Sequence, residues 1–306
     1  MNDAVQIVEV GPRDGFQPIG PFIPTQRKLH FLRELVICGL RDVEIGSFVS
    51  AKAVPQLADT PALLAASKAM AGLRPRVLVP TVGQGMRAIA AGAPCIAFVL
   101  SVSEAHNRSN VRRAPLQSVA EYRELAAALP SGTDMRFNLA TAFDCPFEGR
   151  VAMAATMDVL AATVGISPGA EICLCDTTGR ADPRHVGTLF REAMAQFGAG
   201  LRWAFHGHDT YGLGLANVVA ALGQGVRIFD ASLGGLGGCP FAPGATGNVA
   251  TEDLVYLFER MGIATGCDHE RLVSLACEAE AIPGAQPGGR VRQVLAARSA
   301  CNLAQP

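Results

Sequence analysis

Residues 171–235 read EICLCDTTGRADPRHVGTLFREAMAQFGAGLRWAFHGHDTYGLGLANVVAALGQGVRIFDASLGG. Three short runs, EICLCD (171–176), LRWAFHGH (201–208) and RIFDASLGG (227–235), are rich in β-branched, aromatic and other apolar residues. Between them, roughly 182–198 and 214–225 carry helical periodicity. Brief apolar runs that alternate with amphipathic helices are the pattern of buried parallel strands with crossover helices. Asp182–Pro183 opens one of these helices and Gly198 closes it.

Working outward, the same unit recurs. Upstream runs are VQIVEV (5–10), DVEIGSFV (42–49), RVLVPTV (76–82), CIAFVLSV (95–102) and MRFNLATAF (135–143), which brings the total to eight. Helical patterns begin at Pro24 or Thr25 and cover roughly 53–70, 84–92, 117–129, 148–165 and 251–262. Gly39, Gly72, Gly165 and Gly262 stand where helices would close. Eight strand–helix units in alternation predict an α/β fold, a single (β/α)8 TIM barrel over 1–265. A doubly wound sheet in two domains is the rival, but no linker rich in Pro, Gly or Ser splits the chain. Asp268–Ala281 reads as an extra helix, so 266–306 is expected to form a C-terminal helical extension and tail beside the barrel.

Composition narrows the functional classes. The chain has 306 residues, 49% hydrophobic and 17% charged, which supports a large core. A net charge of −1 offers no basic footprint for nucleic acid. Cationic residues are almost all Arg; the lysines are Lys28, Lys52 and Lys68. Nine cysteines at irregular spacing, with no CxxC, argue against zinc ribbons and for a reducing compartment. The N-terminus does not read as a signal peptide. The longest apolar stretch, Ala88–Val102, is broken by Gly92 and Pro94, too short to span a bilayer. A cytoplasmic protein without membrane partners is expected.

In a barrel the chemistry sits where strands end, and this chain places its polar residues there. The first strand runs into Gly11-Pro12-Arg13-Asp14-Gly15, the sixth into Asp176-Thr177-Thr178-Gly179, and the seventh into His206-Gly207-His208-Asp209. His206 and His208, two apart on a strand, share one face and could hold one cation side by side; the plain alternative is one structural and one solvent-facing imidazole. Asp14 and Asn248 belong to the first and last strand ends, neighbours in a closed barrel. Asp, His, His and Asn form a mixed oxygen–nitrogen set that suits Mg2+ or Mn2+ better than a closed zinc site. Arg13 at such a mouth reads as an electrophile for a developing oxyanion, or as half of a surface ion pair. Cys239 lies in a glycine-rich stretch, GGLGGCPFAPGATGN (234–248), of the kind that serves as a lid; its thiol is either a proton donor or an inert small residue. No Walker A or Rossmann glycine fingerprint is present.

The strings VEVGPRDGFQ (8–17), VEIGSFVSAKAVPQLADT (43–60), CDTTG (175–179), HGHDTYGLGLAN (206–217) and GGLGGCPFAPGATGNVATEDLVYL (234–257) resemble the 3-hydroxy-3-methylglutaryl-CoA lyase family. The resemblance covers nearly all of residues 5–280. It implies a metal site of Asp14, His206, His208 and Asn248, a catalytic Arg13 and a loop acid Cys239. It further implies that Glu44 lies near the metal, that Gln17 and Thr177 line the pocket, and that Asn110 lies near the coenzyme A arm. The implied reaction splits the CoA thioester of a 3-hydroxy-3-methylglutaryl group into acetyl-CoA and acetoacetate, in leucine breakdown by default, with His206 or Asp14 as the general base. A homodimer is also implied, without a diagnostic interface in the sequence.

The fifth strand departs from the family pattern. Where relatives carry a stretch like GYVSCALGCPYEG, this chain has RFNLATAFDCPFEG (136–149). Phe137 is expected to line the pocket without a tyrosine hydroxyl, and Asn138 and Asp144 change its polarity. After RDG the chain continues FQPIG rather than LQNE. These changes raise citramalyl-CoA, or a longer 3-substituted 3-hydroxyglutaryl-CoA, as the alternative substrate. A condensing enzyme like isopropylmalate or homocitrate synthase is the more distant rival, disfavoured by the cysteine loop.

Overall fold

Each of the eight runs forms a strand because its residues can be buried on both faces: one side meets the barrel interior and the other meets a helix. In the computed structural model, residues 4–238, 247–295 and 297 are described. The strands and helices follow in order: β1 (Gln6–Glu9), α1 (Thr25–Ile37), β2 (Asp42–Ser47), α2 (Thr60–Ser67), β3 (Arg74–Val79), α3 (Val82–Ala90), β4 (Cys95–Ser101), α4 (Glu104–Val111), α5 (Pro115–Ala127) and β5 (Asp134–Ala140). A two-residue hairpin, β6 (Asp144–Cys145) with β7 (Gly149–Arg150), follows. Then come α6 (Met153–Thr163), β8 (Glu171–Asp176), α7 (Pro183–Phe197), β9 (Arg202–Gly207), α8 (Gly214–Gly223), β10 (Ile228–Ala231), α9 (Thr251–Arg260) and α10 (His269–Glu280).

The larger sheet is a closed parallel barrel in the order β1-β10-β9-β8-β5-β4-β3-β2. Closure is made by β1, which pairs with β10 from Gln6↔Ile228 to Glu9↔Ala231 and with β2 at Val8↔Asp42. The barrel expectation is met, and the doubly wound rival is not. Two features were not foreseen: α4, and the hairpin that extends the end of β5. The extra helix expected over 268–281 is α10, which packs on α9 and on the turn Leu233–Gly235.

Strand alternation sorts the side chains. Val8, Val10, Cys173, Cys175, Ala204 and Ile228 form a small apolar cluster of their own, while Phe137, Leu139, Ile172, Leu174, Phe205 and Phe229 belong to the main core shared with the helices. Phe137 stacks at 4.9 Å on Tyr122 of α5. It therefore faces the helical shell and not the pocket expected of it. Its neighbours Arg136 and Asn138 point the other way and bond to each other at 2.7 Å. Among the described residues no helix is long and apolar enough to cross a membrane.

Candidate metal centre and active site

Asp14 is positioned by one wide, π-type turn over Gly11–Gly15, in which the amides of Asp14 and Gly15 both donate to the Val10 carbonyl, at 2.7 and 3.3 Å. Glycine is required at 11 because a Cβ there would lie 2.5 Å from Glu9 Oε1, which instead accepts the Gly11 amide at 2.7 Å. The turn leaves Arg13 and Asp14 half-buried at the barrel mouth. Arg13 contacts Asp14 through Nη1 and Glu44 through Nε. Burial works against its charge, but Asp14 and Glu44 more than offset that and hold the guanidinium above its ordinary pKa. In return Asp14 is held well below the carboxylate range, against the desolvation that would raise it, by Arg13 and the two histidines.

His206 and His208 come from the end of β9, with ring centroids 5.1 Å apart. His208 Nε2 lies 3.7 Å from Asp14 Oδ2. His206 Nδ1 lies 3.1 Å from Asp230 Oδ2 on β10. Desolvation opposes charge on His206, yet Asp230 pushes its pKa up to about 9, whereas burial pushes His208 down. Asn248 is tied to β9 by an isolated antiparallel bridge to His208. Its Nδ2 donates to Asp14 Oδ2 at 2.7 Å and to the Leu236 carbonyl at 3.0 Å.

One ligand atom each from Asp14, His206 and His208 lies within 4.8 Å of the others. Among the described residues, the buried Asn248 Oδ1 and His208 Nδ1 have no hydrogen-bond partner. Buried polar atoms are rarely left unpaired, and such exceptions point to an ion or water. A hard carboxylate, two imidazoles and an amide oxygen fit an Mg2+ or Mn2+ site with positions left for substrate.

The remaining expected residues fall at different distances from this centre. Glu44, fully buried on β2, reaches it through Arg13. Gln17 follows directly and lines, with Asp14, Pro18, Ile19, Gln56 and Gly238, a cleft of ≈ 310 Å³. Thr177 Oγ1 accepts the amide of Thr141 at 2.9 Å, joining the ends of β8 and β5. Thr141 is buried and has a φ of +52°, rare for a β-branched residue and typical of strain kept at functional sites. Asn110 is exposed near the end of α4. Cys239 lies outside the described residues. Asp144 does sit at the mouth, accepting from Thr178 at 3.1 Å and from Arg180 at 3.3 Å.

Asp230 and Arg136 were missed by reading strand ends alone. The signal was present: a carboxylate and a guanidinium in mid-strand, spaced by two from inward residues.

Comparison with known proteins agrees with the geometry. Residues 4–277 match the model of the HMGL-like family. The hydroxymethylglutaryl-CoA lyase of Pseudomonas mevalonii is 38% identical over 299 residues, covering 97% of this chain and 98% of the relative. The cytoplasmic 3-hydroxy-3-methylglutaryl-CoA lyase of Rattus norvegicus is 37% identical over 270 residues, 88% of this chain and 78% of the relative. An HMG-CoA lyase from Acinetobacter baumannii, solved with coenzyme A and 3-methylmalate, superposes with a TM-score of 0.90 at 36% identity, covering 96% of this chain and 95% of that one. The chain belongs to the HMGL-like family.

Proposed function

We propose that this protein is a carbon–carbon lyase that cleaves 3-hydroxy-3-methylglutaryl-CoA to acetyl-CoA and acetoacetate with a divalent cation, Mg2+ or Mn2+. The observation that carries the reading is the convergence of Asp14, His206 and His208 beside Arg13 at the mouth of the barrel. A cation held by this set would make the substrate's tertiary hydroxyl more acidic. His206 or Asp14 accepts that proton. The oxygen becomes the ketone of acetoacetate as the C2–C3 bond breaks, and its electron pair moves into the thioester enolate. Arg13, kept charged by Asp14 and Glu44, stabilises the enolate oxygen. Cys239 is the proposed acid that protonates the enolate carbon and completes acetyl-CoA. Gln17, Thr177 and Asn110 are proposed contacts for the acyl group and the CoA arm. The seven cysteines among the described residues are free thiols, which suits the proposed cytoplasmic location.

The test is turnover of purified protein with Mg2+ or Mn2+, followed as acetoacetate and acetyl-CoA. We expect cleavage that disappears on chelation and returns with the metal, and a kcat for Cys239→Ala lower by about 100-fold or more, the usual value of a positioned acid. No cleavage by a metal-loaded protein would sink the substrate assignment. It would direct the assay to citramalyl-CoA and longer 3-substituted 3-hydroxyglutaryl-CoA thioesters, for which the Asp144–Arg180 pair at the mouth supplies the altered polarity.

A further inference from the structure

We infer that Asp230 is a positioning residue for the metal centre: it fixes the proton of His206 on Nδ1, so that Nε2 is presented as a ligand. The inference rests on the metal-centre reading above. Three observations carry it. His206 Nδ1 lies 3.1 Å from Asp230 Oδ2, within the barrel, where both side chains are buried. Water is therefore a poor substitute, and an imidazole whose Nδ1 faces a carboxylate must carry its hydrogen there. Asp230 itself does not swing freely: Arg136 Nη2 donates to the same oxygen at 2.6 Å.

Arg136 is in turn held from two further sides. Its Nη1 contacts Glu171, and its Nε donates to Asn138 Oδ1 at 2.7 Å. Glu171 is braced by Arg76 at 2.6 Å and Arg202 at 2.9 Å. Charged residues from β3, β5, β8, β9 and β10 thus form one continuous network across the barrel, and its upper end is the ring of a metal ligand. A merely structural ion network has no need to end on the Nδ1 of a ligand. Carboxylates that accept from the second nitrogen of a ligating histidine set its tautomer and basicity, and losing one costs about 10–100-fold in metal affinity. The fifth-strand residue Asn138, set apart in sequence by its polarity, acquires a role as part of the clamp on Arg136.

The experiment uses full-length protein in three forms: wild type, Asp230→Asn and Asp230→Ala. Mn2+ affinity is measured by calorimetry or electron paramagnetic resonance. The tautomer of His206 is read by 15N-histidine NMR in the metal-free protein above pH 9, where the ring is neutral, with the resonance assigned by its loss in His206→Gln. We expect wild-type His206 to carry its proton on Nδ1. In Asp230→Ala we expect that preference to be lost and Mn2+ affinity to fall about 10–100-fold. Asp230→Asn keeps an acceptor for both Arg136 and His206, so it should retain the tautomer and lose less affinity. It also carries the test should Asp230→Ala fail to fold. Wild-type His206 protonated on Nε2, or a folded Asp230→Asn or Asp230→Ala with unchanged Mn2+ affinity, would overturn the inference. Failure of wild type to bind Mn2+ would overturn the metal centre itself, and is seen before any variant is compared.

Discussion

Glu9 shows how one buried group couples the active-site turn to pH. Its side chain is fully buried and accepts the amides of Gly11 at 2.7 Å and Leu233 at 2.9 Å, with Thr251 Oγ1 at 2.6 Å from the other oxygen. Burial outweighs these bonds and raises its pKa to about 7. The folded state therefore holds a proton that the unfolded chain releases in the ordinary glutamate range. Stability from this group is greatest below that range, declines as pH rises towards 7, and is flat above it. The decline is on the order of 3 kcal/mol, because each tenfold gain in proton affinity is worth about 1.4 kcal/mol. Glu9→Gln mimics the protonated form, so it should leave the melting temperature nearly unchanged at pH 5 and raise it relative to wild type at pH 8. Equal pH profiles for the two proteins would refute a protonated Glu9. At this scale the sequence was most legible where a residue stood at a strand end: Asp14, His206, His208 and Asn248 come together because barrel closure makes their strand ends neighbours. It was least legible at Phe137, where a motif comparison placed a ring in the pocket and strand alternation turned it to the shell. Asp230 and Arg136 escaped notice because buried charges acquire meaning only through partners 24 and 94 residues away.

Secondary-structure elements were legible for a simple reason: buried parallel strands are continuous apolar runs, and each of the eight found its place in the barrel. Their ends were less so, since MRFNLATAF leaves the sheet at Ala140 and its remainder turns into the β6–β7 hairpin. The glycines expected to close helices divide in an instructive way. Gly39, Gly72, Gly198 and Gly262 adopt positive φ, as helix-ending glycines do. Gly165 does not, because α6 already ends at Thr163. Gly39 bears a second constraint. It follows α1 with a φ of +94°, and a Cβ there would lie 2.2 Å from the Gly266 carbonyl oxygen. Backbone on both sides leaves little room to yield. Gly39→Ala should therefore destabilise the protein by about 2–4 kcal/mol, combining the positive-φ penalty with overpacking. Gly262→Ala, where no atom lies within 4 Å of the new Cβ, should cost only the conformational part, about 1 kcal/mol. Equal losses in chemical denaturation would refute an overpacking cost at Gly39.

On the scale of the whole molecule, residues 288–292 return to brace the segment between β10 and α9. After α10 the backbone runs beneath the segment that carries Asn248. The Gly288 amide donates to the Gly234 carbonyl at 2.9 Å, and the amides of Arg290 and Val291 donate to the Asp253 carboxylate at 2.7 and 2.9 Å. Arg292, almost fully buried, bonds back to the Gly288 carbonyl at 3.1 Å and contacts Glu280. This strap was illegible in IPGAQPGGR, which has no periodicity; its order comes from a carboxylate in the first turn of α9 rather than from any pattern of its own. Asp253→Ala should release it and cost about 2 kcal/mol, the scale of backbone bonds to a charged acceptor. Gly289→Ala should act from the other side, since Gly289 has a φ of +80° and its Cβ would lie 3.0 Å from Ala250. Once the strap is released, the second change has little left to break. The two losses should therefore fall short of additivity by about 1 kcal/mol in a double-mutant cycle. Gly235 lies between the strap and the Asn248 backbone, with Gly288 and the Asn248 carbonyl 3.2 and 3.3 Å from its would-be Cβ. The same variants should consequently weaken Mn2+ binding several-fold, and strict additivity with unchanged Mn2+ affinity would mean that the strap and the metal centre are independent.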